Sequence, residues 1–183
     1  SQEVHVCGAI NAKDIIIDIL EDCGEKYEII EYKRNIPLIV QPKAFQYRDI
    51  ESGDALVAFS KKKVLETAAF YSEMGIKASV IYGDLPPEVR RQQYQQFIAK
   101  ENSILVCTDA IGMGVNLPIK RIVFLDIKKF DGSEVRHLNS QEIKQIAGRA
   151  GRKGIYDEGY VAGYGNSTAF IRENLSIEDY PIN

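Results

Sequence analysis

The sequence predicts an α/β protein with a doubly wound, mostly parallel sheet and helices on both faces. From residue 55 onward, short β-branched or aliphatic runs alternate with segments of helical periodicity, as in chains that fold into parallel sheets. The runs are almost continuously apolar, which is typical of strands covered on both faces. The predicted strands are ALVAF (55–59), ASVIY (78–82), SILVC (103–107), RIVFL (121–125) and GYVAG (159–163).

Local signals mark the starts of three helices between these strands. Ser60 can cap the first helix, and Pro86 with Pro87 can open the second. Asn139 stands three residues before Glu142, and this pairing is typical of a capping box. We expect the third helix to run on into the glycine-rich segment that follows it.

That segment, residues 145–154, reads QIAGRAGRKG. Arg149 and Arg152 are three apart, so in a helix both guanidinium groups would lie on one face. Glycine costs about 1 kcal/mol in a helix interior, so local stability does not explain the composition. Glycine instead permits close approach of the backbone to another group, and a guanidinium suits phosphate or carboxylate oxygens. The segment therefore predicts an anion-binding site.

Residues 1–54 fit the strand and helix alternation less well. EVHVCG and YEIIEY have the composition of strands, and NAKDIIIDILEDCG predicts an amphipathic helix with Asn11 as its cap and Gly24 at its end. IPLIVQPK, with two prolines, predicts a connector. We expect a boundary between a first segment, residues 1–34, and a domain formed by residues 35–183.

Composition excludes several classes of protein. The chain is 45% hydrophobic and 27% charged, with a net charge of −3, which argues against disorder and against non-specific nucleic-acid binding. Cys7, Cys23 and Cys107 lack zinc spacing and predict buried, reduced thiols. With no membrane-length apolar run and no signal peptide, we expect a soluble, intracellular protein. No histidine has metal-ligand spacing, so no metal site is predicted.

Polar and charged residues follow the predicted strands. In open parallel sheets, ligands bind beyond the carboxyl ends of the strands. Glycine amides, hydroxyls and guanidinium groups at that edge suit phosphates, although Asp109 has the alternative of capping a helix. The candidate site residues are Ser60, Gly83, Arg90, Thr108, Asp109, Gly112, Gln145, Arg149 and Arg152.

The order and spacing of these segments resemble a known family. TDAIGMGVN resembles motif V of superfamily-2 helicases, QIAGRAGR resembles motif VI, and ALVAFSKKK resembles motif IV. Within the superfamily, EVHVCGA, EIIEYKR, SVIYGDLPP and the motifs above resemble the DExH RNA helicase of the mitochondrial RNA-degrading complex and its bacterial relatives. The resemblance implies that residues 35–183 form the second RecA-like domain of a two-domain motor. Residues 1–34 would be the end of the first domain, with the motif III strand and a linker.

The resemblance also implies roles for the candidate residues in contacting ATP. Arg149 and Arg152 would reach the γ-phosphate, with Arg152 as the arginine finger. Gln145 would help place the attacking water or contact the phosphate. Asp109 would accept hydrogen bonds from the ribose hydroxyls, and Gly112 would allow close backbone approach. ATP and Mg²⁺ would be held mainly by the first domain.

The same resemblance assigns a second group of residues to RNA. Ser60, Gly83, Arg90 and Thr108 would hold the phosphates of single-stranded RNA. The implied partners are single-stranded RNA, ATP and an exoribonuclease, without a membrane, and we expect this fragment to be monomeric. The expected location is the cytoplasm in a bacterium or the mitochondrial matrix in a eukaryote, although the chain carries no targeting signal.

The sequence also departs from a complete motor. It contains no G-x-x-x-x-G-K-[ST] loop and no strand that ends in an Asp-Glu pair, so we expect this chain alone not to hydrolyse ATP. Ile146 replaces the arginine of DEAD-box proteins, which favours the DExH branch. The alternatives are a DNA helicase or translocase domain and a non-catalytic nucleic-acid-binding module. A small-molecule enzyme ranks last, because no nucleophile or acid–base pair is evident.

Overall fold

The chain divides into two units, residues 1–34 with 177–183 and residues 35–176. The structure is a computed structural model, and it describes residues 4–6, 8, 12–30, 36–111 and 115–177. Its strands are β1 (Leu38–Val40), β2 (Asp54–Val57), β3 (Ala78–Ile81), β4 (Ile104–Cys107), β5 (Arg121–Phe124), β6 (Lys128–Phe130), β7 (Val135–His137) and β8 (Gly159–Gly163). Its helices are α1 (Lys13–Asp22), α2 (Lys61–Glu73), α3 (Pro87–Ile98), α4 (Ser140–Ala147) and α5 (Thr168–Ser176).

In the second unit, six strands form one sheet in the order β1-β8-β5-β2-β4-β3. Every neighbouring pair in this sheet is parallel, which confirms the predicted fold class. Across the described ranges, no helix is long and apolar enough to span a bilayer.

Two apolar cores cover the two faces of the sheet, because alternate residues of each strand point to opposite sides. On one face, strand residues such as Val57 and Cys107 pack against Phe97 of α3 and Ile143 of α4. On the other face, the intervening residues pack against α2 and against the segment around Phe45. Burial on both sides explains why the strands are apolar almost throughout.

The starts of α2, α3 and α4 follow the predicted signals. The hydroxyl of Ser60 accepts a hydrogen bond from the Lys63 amide at 3.2 Å, and α3 begins at Pro87. Asn139 and Glu142 form a reciprocal capping box at the start of α4. Each of these predictions is confirmed. The sequence could signal these helix starts because each depends on groups only a few residues apart.

Two elements of the sheet region were not predicted. β1 lies inside the predicted connector, between Pro37 and Pro42, and pairs only at the outer edge with β8, where flanking prolines are tolerated. β6 and β7 form an antiparallel hairpin between the predicted strand 121–125 and the helix capped by Asn139, where no element was predicted. Its Asp131-Gly132 turn, with Gly132 at φ 106°, is a hairpin signal that could have identified it.

The first unit differs from the prediction in its strands. Helix α1 is present, and Gly24 follows its end at φ 68°. Its N-cap is residue 12, and the predicted cap, Asn11, lies outside the described residues. The described parts of both predicted strands, residues 4–6 and 27–30, have no strand structure. A strand needs a neighbour for its backbone hydrogen bonds, and the described part of this unit provides none.

The cysteines are only partly as predicted. Cys107 is fully buried in β4, and burial raises the pKa of its thiol. Cys23 is exposed at the end of α1, so its predicted burial is wrong. Cys7 lies outside the described residues.

A buried ion pair joins β2 and β5 at the amino edge of the sheet. Arg121 donates from Nη2 to Oδ2 of Asp54 at 2.6 Å and from Nε to Oδ1 at 2.9 Å. The remaining donors reach Gln41 Oε1 at 3.0 Å and the Asp49 carbonyl at 2.8 Å. Because every guanidinium nitrogen has a partner, the pair fixes two central strands without an unpaired buried charge.

We expect Arg121→Leu to lower the free energy of unfolding by about 3–5 kcal/mol, because it leaves the buried carboxylate of Asp54 uncompensated. Urea unfolding of the 183-residue chain measures this change. The control is Lys120→Leu, which removes an exposed ion pair to Glu51 at 2.9 Å and should cost no more than about 1 kcal/mol. Equal losses in the two variants would contradict a special role for the buried pair.

Candidate functional site

The carboxyl ends of the six parallel strands lie on one edge of the sheet. Phe59 and Ser60 follow β2, Gly83 follows β3, and Thr108 and Asp109 follow β4. β2 and β4 are direct neighbours in the sheet. The edge therefore collects a hydroxyl, a carboxylate and backbone amides from distant parts of the chain.

A cavity of about 190 Å³ opens beside Asp109 at this edge. It brings together four of the predicted site residues, namely Thr108, Asp109, Gln145 and Arg149. Its other lining residues are Phe59, Ile111, Lys129, Leu138, Glu142 and Ile146. The cavity thus combines hydroxyl, carboxylate, amide and guanidinium groups with an apolar wall.

Thr108 and Asp109 differ in their exposure. Thr108 is nearly buried, and its hydroxyl accepts from the Ala110 amide at 3.2 Å. The side chain of Asp109 is 48% exposed, with Oδ2 at 3.4 Å from Nζ of Lys129. No helix begins at Asp109, so the alternative of a helix cap is wrong and its carboxylate faces the cavity.

The two arginines do not share a helical face. Helix α4 ends at Ala147, Gly148 is its C-cap, and Gly151 has φ 81°. The predicted continuation of the helix through Arg149 and Arg152 is therefore wrong, because a positive φ at Gly151 turns the chain out of any helix.

Gly151 does serve the predicted close approach of the backbone. Its amide donates to the Ile119 carbonyl at 2.7 Å. A Cβ at this position would lie 3.1 Å from the backbone of Gly159. Only glycine can therefore occupy this position without moving the start of β8.

The arginines have different surroundings. Arg149 lines the cavity beside Asp109, and its Nη1 lies 3.5 Å from the Val115 carbonyl. It also lines a second cavity of about 270 Å³ formed by Ile111, Val115, Asn116, Leu117, Ile119, Gly148 and Gly151. Arg152 lines neither cavity and is partly exposed. Its guanidinium makes no hydrogen bond or ion pair with any residue in the described part of the chain.

The remaining predicted residues lie apart from the cavity. Ser60 caps α2, and Nη2 of Arg90 donates to the carbonyls of Tyr82 and Gly83 at 3.1 and 3.0 Å. Arg90 therefore braces the turn after β3, while its buried Nε has no hydrogen-bond partner in the described structure. Gly112 lies outside the described residues.

Sequence reasoning missed the ionic residues at the base of the hairpin. Glu142 accepts from both terminal nitrogens of Arg136 at 3.0 Å each, and Lys129 Nζ lies 2.6 Å from its Oε1. The hydrogen bonds from Arg136, assisted by Lys129, lower the pKa of Glu142 to about 2. The capping box pointed to Glu142, but no local signal pointed to Lys129. In the described residues, no group of histidines, cysteines and carboxylates could hold a metal ion.

A parallel sheet with helices on both faces places the domain in the doubly wound α/β class, in which ligands bind beyond the carboxyl ends of the strands. Residues 41–154 match the family model of the helicase conserved C-terminal domain. The chain therefore belongs to this family, and the resemblance to superfamily-2 helicases is confirmed.

Curated relatives support the DExH resemblance. The chain is 39% identical over 181 residues to "ATP-dependent RNA helicase SUV3L, mitochondrial" of Oryza sativa subsp. japonica. The matched region covers 96% of this chain and 24% of the relative. It is 43% identical over 155 residues to "ATP-dependent RNA helicase SUV3, mitochondrial" of Saccharomyces cerevisiae. That match covers 83% of this chain and 21% of the relative. The chain thus spans less than a quarter of the length of these relatives.

Solved structures of low sequence identity share the fold. The C-terminal domain of the DEAD-box protein Dbp5 has a TM-score of 0.58 at 14% identity, covering 80% of this chain and 89% of that domain. The Escherichia coli DEAD-box protein SrmB, bound to regulator of ribonuclease activity A, has a TM-score of 0.59 at 14% identity. This match covers 82% of this chain and 90% of the SrmB chain. These matches confirm a RecA-like domain architecture.

The lowered pKa of Glu142 predicts an acid-sensitive contact between α4 and the hairpin. A carboxyl whose pKa is lowered on folding stabilises the fold above its unfolded pKa, and this stabilisation is lost as the pH falls through the folded value. For Glu142 the window runs from 4.5 to about 2.

We expect Glu142→Gln to lower the free energy of unfolding by about 1–2 kcal/mol near pH 6. The difference from wild type should shrink as the pH falls through that window. Urea unfolding at a series of pH values measures it. Glu134→Gln, at an exposed position in the same hairpin, is the control and should stay close to wild type. A pH-independent loss in Glu142→Gln would contradict the ionic explanation.

Proposed function

We propose that this chain is the C-terminal motor domain of an ATP-dependent RNA helicase, supplying motifs IV, V and VI. One observation carries the proposal: the cavity at the carboxyl edge brings Thr108 and Asp109 together with Gln145 and Arg149. These residues come from the two segments that resemble motifs V and VI, and they are the groups that the resemblance assigns to nucleotide and RNA contacts. The family match supports the same function.

The residues at the cavity fit parts of a nucleotide. Asp109, half exposed, can accept hydrogen bonds from ribose hydroxyls, and Arg149 can donate to phosphate oxygens. Gln145 would orient the attacking water, and Gly112 would let the backbone approach the nucleotide. ATP would supply the phosphoryl group. We assign the magnesium ligands to the other RecA-like domain, since the described residues here offer no carboxylate cluster.

Arg152 fits the role of arginine finger. Its guanidinium is partly exposed and has no partner in the described structure, so it is available to a group outside this domain. A cation placed against transferring phosphate stabilises the charge of the transition state. Arg149, which faces the cavity, would hold the phosphate beside it.

The turn after β3 and the end of β4 would grip RNA. Thr108, Ser60 and the backbone at Gly83 offer hydroxyl and amide donors along the same edge. Arg90 would act there mainly by holding the turn in place, since it donates to two of its carbonyls. Contacts to phosphates are independent of base sequence, which suits a motor that moves along a strand.

The resemblance to DExH RNA helicases and the names of the relatives support a wider context for this domain. We propose that residues 1–34 belong to the end of the first RecA-like domain, with the linker, and that an exoribonuclease is a partner. The curated relatives named above are called mitochondrial, so we propose a mitochondrial location rather than a bacterial cytoplasm.

In the full-length protein, we expect Arg152→Ala to lower RNA-stimulated ATP turnover by about 10³-fold, because the transition state loses its cation. RNA affinity should stay within about threefold of wild type, since this residue is not placed at the RNA. Steady-state ATPase assays and RNA titrations measure the two quantities.

The control is Lys153→Ala, at the exposed neighbouring position, which should behave like wild type. Turnover of Arg152→Ala within about threefold of wild type would refute the finger assignment. Single-stranded DNA of the same sequence serves as a second stimulator. Equal stimulation by RNA and DNA would remove the RNA assignment, and stimulation by neither would favour a non-catalytic binding module.

We expect Asp109→Ala to raise the Michaelis constant for ATP by about tenfold and to change the rate constant less, because the ribose contact forms in the ground state. Initial-rate measurements over a range of ATP concentrations separate the two parameters. Asp157→Ala, at an exposed position just before β8, removes a carboxylate outside the cavity and is the matched control. An unchanged Michaelis constant in Asp109→Ala would remove the ribose role.

A further inference from the structure

Lys129 of the hairpin lies between two carboxylates of the cavity. Its Nζ is 2.6 Å from Oε1 of Glu142 and 3.4 Å from Oδ2 of Asp109. Its side chain is 21% exposed. The ammonium group of Lys129 therefore links Asp109, after β4, to Glu142 in the first turn of α4. The three residues lie in three different parts of the fold.

Glu142 is the fixed end of this bridge. Its carboxylate accepts from the Asn139 amide at 2.9 Å and from both terminal nitrogens of Arg136 at 3.0 Å. A carboxylate with three such donors in the first turn of a helix has little freedom to rotate. The short contact from Lys129 to Glu142 therefore fixes the position of the ammonium group.

Asp109 is the adjustable end. Its contact with Lys129, at 3.4 Å, is longer than the 2.7–2.9 Å of a strong charge-assisted hydrogen bond. A carboxylate has about four acceptor positions, so this contact restrains the direction of the side chain and leaves acceptors for a ligand. The contact thus orients the half-exposed carboxylate of Asp109 and leaves some of its acceptor positions open to a ligand.

Lys129 also offsets the negative charge of the cavity. Without it, Glu142 would keep its ion pair with Arg136, but Asp109 would have only Arg149 as a cationic residue among the other residues that line the cavity. A nucleotide brings further negative charge, so an uncompensated carboxylate at Asp109 would disfavour its binding.

We propose that Lys129 is a positioning residue for the nucleotide: tied to Glu142, it orients Asp109 toward the ribose hydroxyls. The inference rests on the proposed function, in which Asp109 accepts from the ribose. Lys129 acts through Asp109 and donates nothing to the reaction itself. It makes the hairpin part of the nucleotide site.

The test uses the full-length protein and compares ATP with 2′-deoxy-ATP and 3′-deoxy-ATP in RNA-stimulated turnover. We expect Lys129→Met to raise the Michaelis constant for ATP by about threefold to tenfold, with a rate constant within about twofold of wild type. The preference for ATP over the deoxy analogues should fall by a similar factor. Lys129→Arg keeps the cation and should recover most of that preference, which loss of a merely structural contact would not explain.

The matched control is Lys128→Met, at the exposed neighbouring position on β6 with no ion pair in the described structure. It should keep the full preference for ATP. Loss of preference in Lys128→Met, or equal loss in Lys129→Arg and Lys129→Met, would overturn the positioning role in favour of a general effect on the hairpin.

Asp109→Ala separates failure of this inference from failure of the proposed function. If Asp109→Ala loses the preference and Lys129→Met keeps it, the role of Lys129 is wrong and the ribose contact stands. If Asp109→Ala keeps the preference, or wild type shows none, the ribose contact itself is wrong, and the inference about Lys129 is overturned with it.

Discussion

The parallel pairing of the strands is the constraint on which the site depends. β2 lies between β4 and β5, with Val57 opposite both Cys107 and Phe124. Ser60, Gly83 and Thr108 follow the carboxyl ends of β2, β3 and β4 within three residues. Parallel order therefore brings groups that are far apart in sequence to one edge, while the ion pair of Arg121 with Asp54 ties β2 and β5 at the opposite edge.

The second constraint is the backbone at Gly151, which separates the two arginines. Its positive φ and its hydrogen bond to Ile119 direct the chain away from the axis of α4 and toward the start of β8. Arg149 is left at the end of the helix, facing the cavity, whereas Arg152 lies beyond the turn with its guanidinium unengaged by the described residues. The small side chains around the arginines thus serve packing, and this packing places the two arginines in different surroundings.

Much of the fold and part of the site could be predicted, and the division follows the range of the interactions. Strands such as β2 and β4 are buried on both faces, so their composition identifies them, and the cap of α4 depends on residues three apart. β1 is apolar but only three residues long and lies between two prolines, so its pairing with β8 defines it. The hairpin strands carry few apolar residues, and the Asp131-Gly132 turn is a local signal for them. Lys129 and Asp109 are 20 residues apart, and their contact exists only because the hairpin folds back onto the end of β4.

The balance of charge in the cavity bears on the proposed contact with a nucleotide. Lys129 and Arg149 line the cavity together with Asp109 and Glu142, and Glu142 is also paired with Arg136. Carboxylates therefore offset much of the positive charge at the cavity, which weakens its attraction for a triphosphate. A surface of this kind contributes orientation and selectivity toward a ligand more than it contributes affinity. The guanidinium of Arg152 pairs with no described residue, so under the proposed function it is free to meet a phosphate. We therefore propose that this domain completes a nucleotide site whose main phosphate contacts come from the other RecA-like domain.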